Sequence, residues 1–153
     1  MYQDGRGVGR DDAAAARWYR LATDQGEVQA QVNLGTLYYD GRGVRQDRGE
    51  AARWYHMAAE QGHEDAQAKL GNMYEAGRGV GRDIGEVIYW YRKAAEQGQA
   101  DAQEGLAWIY ATASDERHRN GSKAVKFARL AVAQEDSAYN RDTLAAAYAE
   151  TRD

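Results

Sequence analysis

Apolar and small residues along the chain recur at helical spacing, and the whole pattern repeats every 36 residues. Ala66, Leu70 and Tyr74 fall at i, i+4 and i+8, the spacing of one helix face. Ala51, Tyr55, Ala58 and Ala59 mark a second face at i, i+4, i+7 and i+8. Gly-Arg-Gly-Val stands at 5–8, 41–44 and 77–80. The same offset relates Trp18, Trp54 and Trp90, each followed by a tyrosine (Tyr19, Tyr55, Tyr91), and also Gly26, Gly62 and Gly98. Ala-Gln pairs at 30–31, 66–67 and 102–103, then Leu34, Leu70 and Leu106, then Tyr2, Tyr38, Tyr74 and Tyr110, complete the register.

Each unit therefore reads as a helical hairpin. Asp47 with Glu50, and Asp83 with Glu86, have the spacing of an N-cap and its reciprocal acidic partner. Gly62 and Gly98 stand where a left-handed residue ends a helix. Gly-Arg-Gly-Val turns the chain between helices, its glycines supplying positive φ and close approach. Gly35 and Gly71 mark places where a neighbour must come near, while Trp54 and Trp90 fill wider gaps. No single hairpin can bury such rings alone, so neighbours must stack. The predicted fold is all-α, a right-handed α-solenoid of antiparallel hairpins with about eight helices.

These residues resemble the Sel1-like repeat, a relative of the tetratricopeptide repeat. Ala66, Leu70, Gly71, Tyr74, Gly77, Gly79, Val80, Asp83, Trp90, Ala94, Ala95 and Gly98 follow its pattern in order, and the resemblance covers roughly residues 1 to 110. Where family members often carry Pro after the Val, this chain has Arg45 and Gly81. The last segment departs: Ala107 replaces the expected Gly, and a polar stretch at 114–120 precedes Gly121. Helical spacing resumes at Ala124, Phe127, Ala128 and Ala131, and again at Leu144, Ala147 and Tyr148, resembling a tetratricopeptide-type closing unit. The expected division is one domain, with a partial unit 1–28, repeats 29–64 and 65–100, and a divergent closing unit 101–153.

Counting helices leaves a lone second-type helix near residues 12–25 and a lone first-type helix near 141–151. Tyr2 occupies the last turn of a first helix that is otherwise missing. The Trp18 helix should then expose an apolar flank, which invites a homodimer or head-to-tail contact through that end.

Composition narrows the chemistry. Lys and Arg number 20 against 24 Asp and Glu, a net charge of −4, so no positive field favours nucleic acid. Absence of Cys removes disulfides and thiolate chemistry. Apolar runs fall far below the ~18 residues of a membrane span, and Met1 is followed by polar residues, so neither anchor nor signal peptide is expected. The compartment stays open. The glycine-rich turns lack phosphate-loop and calcium-loop spacing. His56, His63 and His118 lack metal-ligand spacing, and Ser114, Ser122 and Ser137 have no triad context, so neither cofactor nor metal is expected and the chain reads as non-enzymatic. Arg6, Arg42 and Arg78 form a ladder. Each either caps helix carbonyls or pairs with the Asp of its own turn, or together they grip an acidic partner.

In a superhelix of hairpins the first helices line the concave side, and inward positions that vary between units are free to bind. With Leu70 and Tyr74 in the core, those positions are Asp65, Ala68, Lys69, Asn72 and Glu75. One period earlier stand Gln29, Val32, Asn33, Thr36 and Tyr39, and one period later Asp101, Glu104, Gly105 and Trp108. An extended peptide or partner surface could lie there, anchored by Tyr39 and Trp108, with Asn33 and Asn72 bonding its backbone. Trp108 either anchors that partner or seals the last layer. The resemblance implies a protein-interaction scaffold. Its alternatives are a binder or hydrolase of peptidoglycan-like or β-lactam compounds, though the Cys pairs of such relatives are absent, and self-assembly through the N-terminal end.

Overall fold

The computed structural model describes residues 11–151 and contains, among them, eight helices and no strand. In chain order they are α1 (Asp12–Asp24), α2 (Val28–Asp40), α3 (Arg48–Glu60), α4 (Glu64–Ala76), α5 (Ile84–Glu96), α6 (Ala100–Thr112), α7 (Gly121–Gln134) and α8 (Ala138–Glu150). Each packs on the next, with further contact of α6 with α8. The all-α repeat stack read from the periodicity is thus the fold. Tyr2, Arg6 and the first Gly-Arg-Gly-Val lie outside the described residues.

Helix starts follow the expected chemistry, with one difference. Asp47 Oδ1 accepts from the Glu50 amide at 2.9 Å, and Asp83 Oδ1 from the Gly85 and Glu86 amides at 2.8 and 3.2 Å. The acidic side chains do not reach back as a capping box would have them do. The Asp47 amide already donates to the Tyr38 carbonyl at 2.9 Å, Glu50 pairs with Arg53 at 3.0 Å, and Glu86 Oε2 accepts from the Trp90 indole N–H at 3.0 Å. The last helix begins at Ala138, earlier than its apolar spacing suggests, because Ser137 caps it through the Asn140 amide at 3.1 Å.

The longer turns do more than reverse the chain. Gly43 and Gly79 have φ of 67° and 76°, and a Cβ on either would land on backbone of the preceding hairpin, at Asp12–Ala13 and Arg48–Gly49 respectively. Each such turn is therefore docked on the start of an earlier helix, tying one unit to the next. Arg42 extends that contact with a bidentate pair to Asp12, Nη2 at 3.0 Å and Nε at 3.1 Å. For Arg42 and Arg78 this corrects the expectation that each caps carbonyls or pairs within its own turn. Arg78 cannot copy the pair, since Arg48 stands one period after Asp12; its Nη1 donates instead to the Tyr39 hydroxyl at 3.1 Å.

Close approach also governs the interior. A Cβ at Gly35 would sit 2.8 Å from Tyr55 Cε1, and one at Gly71 would sit inside contact with the Tyr91 ring. Leu34, Leu70 and Leu106 are fully buried in successive layers. Between the layers runs a polar spine. The buried side chains of Gln67 and Gln103 donate to the Ala59 and Ala95 carbonyls at 3.1 and 3.2 Å. Gln31, Gln67 and Gln103 in turn accept from Gln61, Gln97 and Gln134 at 2.9, 2.8 and 2.8 Å. Buried amides so paired stabilise rather than penalise the stack.

The fourth unit is shifted by one residue. Asn120, not Arg119, takes the place of Asp83: its side chain caps α7 at Lys123 and its amide donates to Tyr110 at 2.9 Å, as Asp47 does to Tyr38. Gln134 then aligns with Gln97, and Phe127 and Ala128 with Trp90 and Tyr91. No tyrosine ring is needed over Ala107, so the missing glycine there is matched by a missing tyrosine.

Gly79 and Gly81 separate these effects. Gly79→Ala should lower stability by about 1–3 kcal/mol through backbone clash at positive φ. Gly81→Ala, with nothing within 4 Å of a Cβ, should be neutral or stabilise by up to about 1 kcal/mol. Urea midpoints of the two variants check this.

Candidate functional site

Residues on α2, α4 and α6 that the core does not use make one face, and its columns differ in what they can offer. Val32 and Ala68 are 5% and 3% exposed, packed into the apolar clusters around Ala51–Tyr55 and Tyr91–Ala102 respectively. They cannot contact a partner as expected, because that column is buried against the helices packed on α2 and α4. Glu104, next in the same column, is half-buried. Gln29, Asp65 and Asp101 are exposed, as are Asn72, Glu75 and Trp108, while Asn33, Thr36, Tyr39, Lys69 and Gly105 are half-buried.

Many of the expected side chains bond one another or the next helix. Gln29 Nε2 donates to Asn33 Oδ1 at 3.2 Å, and Gln29 Oε1 lies 3.1 Å from His63 Nε2. Thr36 shares a 3.0 Å hydrogen bond with the Tyr55 hydroxyl. The Tyr91 hydroxyl lies within hydrogen-bond reach of Asn72 Oδ1 and donates to Glu75 Oε2 at 3.0 Å. Lys69 Nζ lies 5.7 Å from the centre of the Tyr55 ring, and the Arg48 guanidinium 5.4 Å from that of Tyr39.

Two concavities result. A small one of about 160 Å³ is lined by Tyr39, Tyr55, Lys69, Asn72 and Met73. The larger, about 380 Å³, lies against Tyr74, Glu75, Ile84, Val87, Trp108 and Ile109 and also touches Arg82 and Asp83. Tyr39 and Lys69 are thus brought together with Asn72, and Glu75 with Trp108. Asp65, Gln29 and Asn33 line neither cleft. Trp108 is 45% exposed and leans on Tyr139 of α8, itself 50% exposed, with ring centres 6.2 Å apart and planes at 32°. It is held by the last helix without being covered by it.

Three contributors escape the sequence reading. Tyr55 and Tyr91 recur at one repeat position and so read as packing residues; their rings do pack, but their hydroxyls emerge among the variable positions. Tyr139 belongs to the divergent helix, where no period aligns it with Trp108. Only its place next to the buried Asn140, which bonds the Ala131 and Glu135 carbonyls, marks the face it takes.

Electrostatics follow from this geometry. Burial above all, then the Glu75 charge and its hydrogen bond, then Asp101 and Tyr139, push the Tyr91 phenol far above its ordinary value. Burial, then Glu104, raise Tyr139, against the lowering bond from Thr143 and with a further push from Glu75. Burial also raises Tyr55, opposed by its bond to Thr36. Among the described residues no group of three or more His, Cys, Asp or Glu could hold a metal ion, and no helix is long and apolar enough to cross a membrane.

The Sel1 repeat profile matches residues 1–27, 28–63, 64–99 and 100–136. It thus reaches past residue 110, through α7 of the shifted unit. Among solved structures the chain is similar to c5321, a protective antigen present in uropathogenic Escherichia coli strains and displaying an SLR fold. Identity is 35% and the TM-score 0.80, over 93% of this chain and 30% of that one. A Sel1 repeat protein from Oxalobacter formigenes is similar at 32% identity and TM-score 0.79, over 93% of this chain and 58% of that one. The chain spans less than two thirds of either protein. No curated protein matches it.

A phenol whose neutral form is favoured by folding loses nothing while both states are protonated. Stability falls once pH rises past about 10, where the unfolded chain ionises first. Alkaline destabilisation is therefore expected to begin near that pH and to be smaller in Tyr91→Phe. At neutral pH the same variant should lose about 0.5–1.5 kcal/mol with its hydrogen bond. Urea midpoints at about pH 7, 9 and 11 test both signs.

Proposed function

The chain belongs to the Sel1 repeat family, whose members generally mediate protein–protein interaction, and from that premise we propose that it is a scaffold holding a peptide or partner-protein surface against the α2–α4–α6 face. The reading is non-enzymatic and invokes no cofactor.

The observation that carries it is Trp108. It stands at the repeat position of Thr36 and Asn72, a column that carries no core layer, and it keeps nearly half its surface in contact with solvent beside Tyr139. A large ring so exposed is costly in water and typical of residues that dominate binding energies. Around it the polar side chains are oriented by tyrosine hydroxyls of the neighbouring helices, so little side-chain order has to be created on binding. The rigid hairpin stack supplies the backing, and the variable columns supply selectivity.

The flank of α1 is a separate matter. Trp18 is 70% exposed and Leu21 is also exposed, as the expectation for that helix has it. A homodimer through it is supported by neither the structure nor the comparisons.

Selection from a random-peptide library on the immobilised protein, followed by amide hydrogen exchange with the selected peptide, tests the reading. Protection should fall on α2, α4, α6 and α8, and a Trp108→Ala, Tyr39→Ala double variant should bind about tenfold or more weakly. Protection confined to the outer faces of α3, α5 and α7, or unchanged affinity in the double variant, would refute it.

A further inference from the structure

Charge on the proposed binding face is divided between its ends. Among the variable columns of α2, α4 and α6, Asp65, Glu75, Asp101 and Glu104 stand against Lys69, with Arg48 and Arg78 at the Tyr39 end, and none of the four carboxylates joins an ion pair among the described residues. Lys69 is also spoken for, lying over the Tyr55 ring at the other end of the face. Three of the carboxylates gather at the α6 end. Glu75 and Asp101 both act on the Tyr91 phenol, and Glu104 and Glu75 on that of Tyr139. Trp108 and Tyr139, 45% and 50% exposed and with ring centres 6.2 Å apart, form an aromatic pair there, and Trp108 lines a cleft of about 380 Å³ that Glu75 also lines. Arg82 touches the same cleft beside Asp83, which leaves Glu75 as the excess charge.

Resting on the scaffold reading above, we propose that the α6 end of the face takes a lysine or arginine side chain of the partner, between the Trp108–Tyr139 rings and the carboxylates of Glu75 and Glu104, so that the bound segment is basic. Ring faces of Trp and Tyr attract a cation within about 6 Å, and unpaired carboxylates nearby add to that attraction. Glu75 is already oriented, because one of its oxygens accepts from the Tyr91 hydroxyl at 3.0 Å and the other is left to the ligand. An acidic segment would meet repulsion from all four carboxylates, and a purely apolar one would strip water from them without return.

The probes are peptides selected from a random library on the wild-type protein, then synthesised and titrated by fluorescence polarisation. Selected sequences should carry Lys or Arg next to an apolar residue. Affinity should fall about tenfold or more in a Glu75→Gln, Glu104→Gln double variant and weaken steeply with salt. Trp108→Phe should keep most of the affinity and Trp108→Leu lose it, a distinction that apolar volume alone does not make. Each variant is compared with wild type by circular dichroism, and the Phe and Leu pair stands on its own if the double variant fails to fold. Peptides that protect this face but lack basic residues, or that bind the Gln variants equally, overturn the cation site and leave the scaffold reading intact. Failure to select any peptide, or protection elsewhere, overturns both.

Discussion

A tyrosine ring lying on a backbone that has no Cβ sets the spacing of this molecule. Tyr55 rests on Gly35 and Tyr91 on Gly71, each at a distance that a methyl group would forbid. That approach fixes how closely the two helices of a hairpin lie, and so where Leu34 and Leu70 meet their layers. It also points each phenol hydroxyl past the backbone toward the side of α2, α4 and α6, where it orders Thr36, Asn72 and Glu75. Packing and the candidate binding face are two ends of one side chain. The fourth unit shows the same constraint from the other side: with Ala128 where a tyrosine would stand, Ala107 is tolerated where a glycine would be.

Polar groups inside the stack are accommodated by repetition. Gln67 and Gln103 each bond a carbonyl across the preceding short turn, and Gln31, Gln67 and Gln103 each accept from a glutamine at the end of the next helix, so the amides recur along the stack as the leucines do. Tryptophan shows what happens when the local partner is diverted. Trp90 donates to Glu86, whereas Glu50 pairs with Arg53 and the buried indole N–H of Trp54 has no partner. An orphaned buried donor costs about 1–3 kcal/mol, which makes the α3 layer the less satisfied of the two.

Function in such a fold comes from the columns that packing leaves unspent. Val32 and Ala68 look free because they vary in sequence, yet they are buried in the apolar clusters and are spent. Trp108 and Glu75 vary and remain exposed. Variation between repeats is a necessary sign of a binding position, and it becomes sufficient only when the direction of the column is known.

The period of 36 residues, the caps at Asp47 and Asp83, the αL glycines and the small–large alternation were all legible in the chain, because each is a local rule repeated often enough to exclude coincidence. They were enough for the all-α stack, but not for which of its variable residues reach the surface, since Val32 and Ala68 are buried. Tertiary structure decided what depends on neighbours: that Arg42 reaches back to Asp12 while Arg78 meets Arg48 and turns to Tyr39, and that Tyr139 stands beside Trp108. It also decided that one extra residue before Asn120 shifts every later position of the fourth unit. Periodicity specifies which side of its own helix a residue occupies; what stands opposite it is set by the packing of other helices, and only their coordinates supply that.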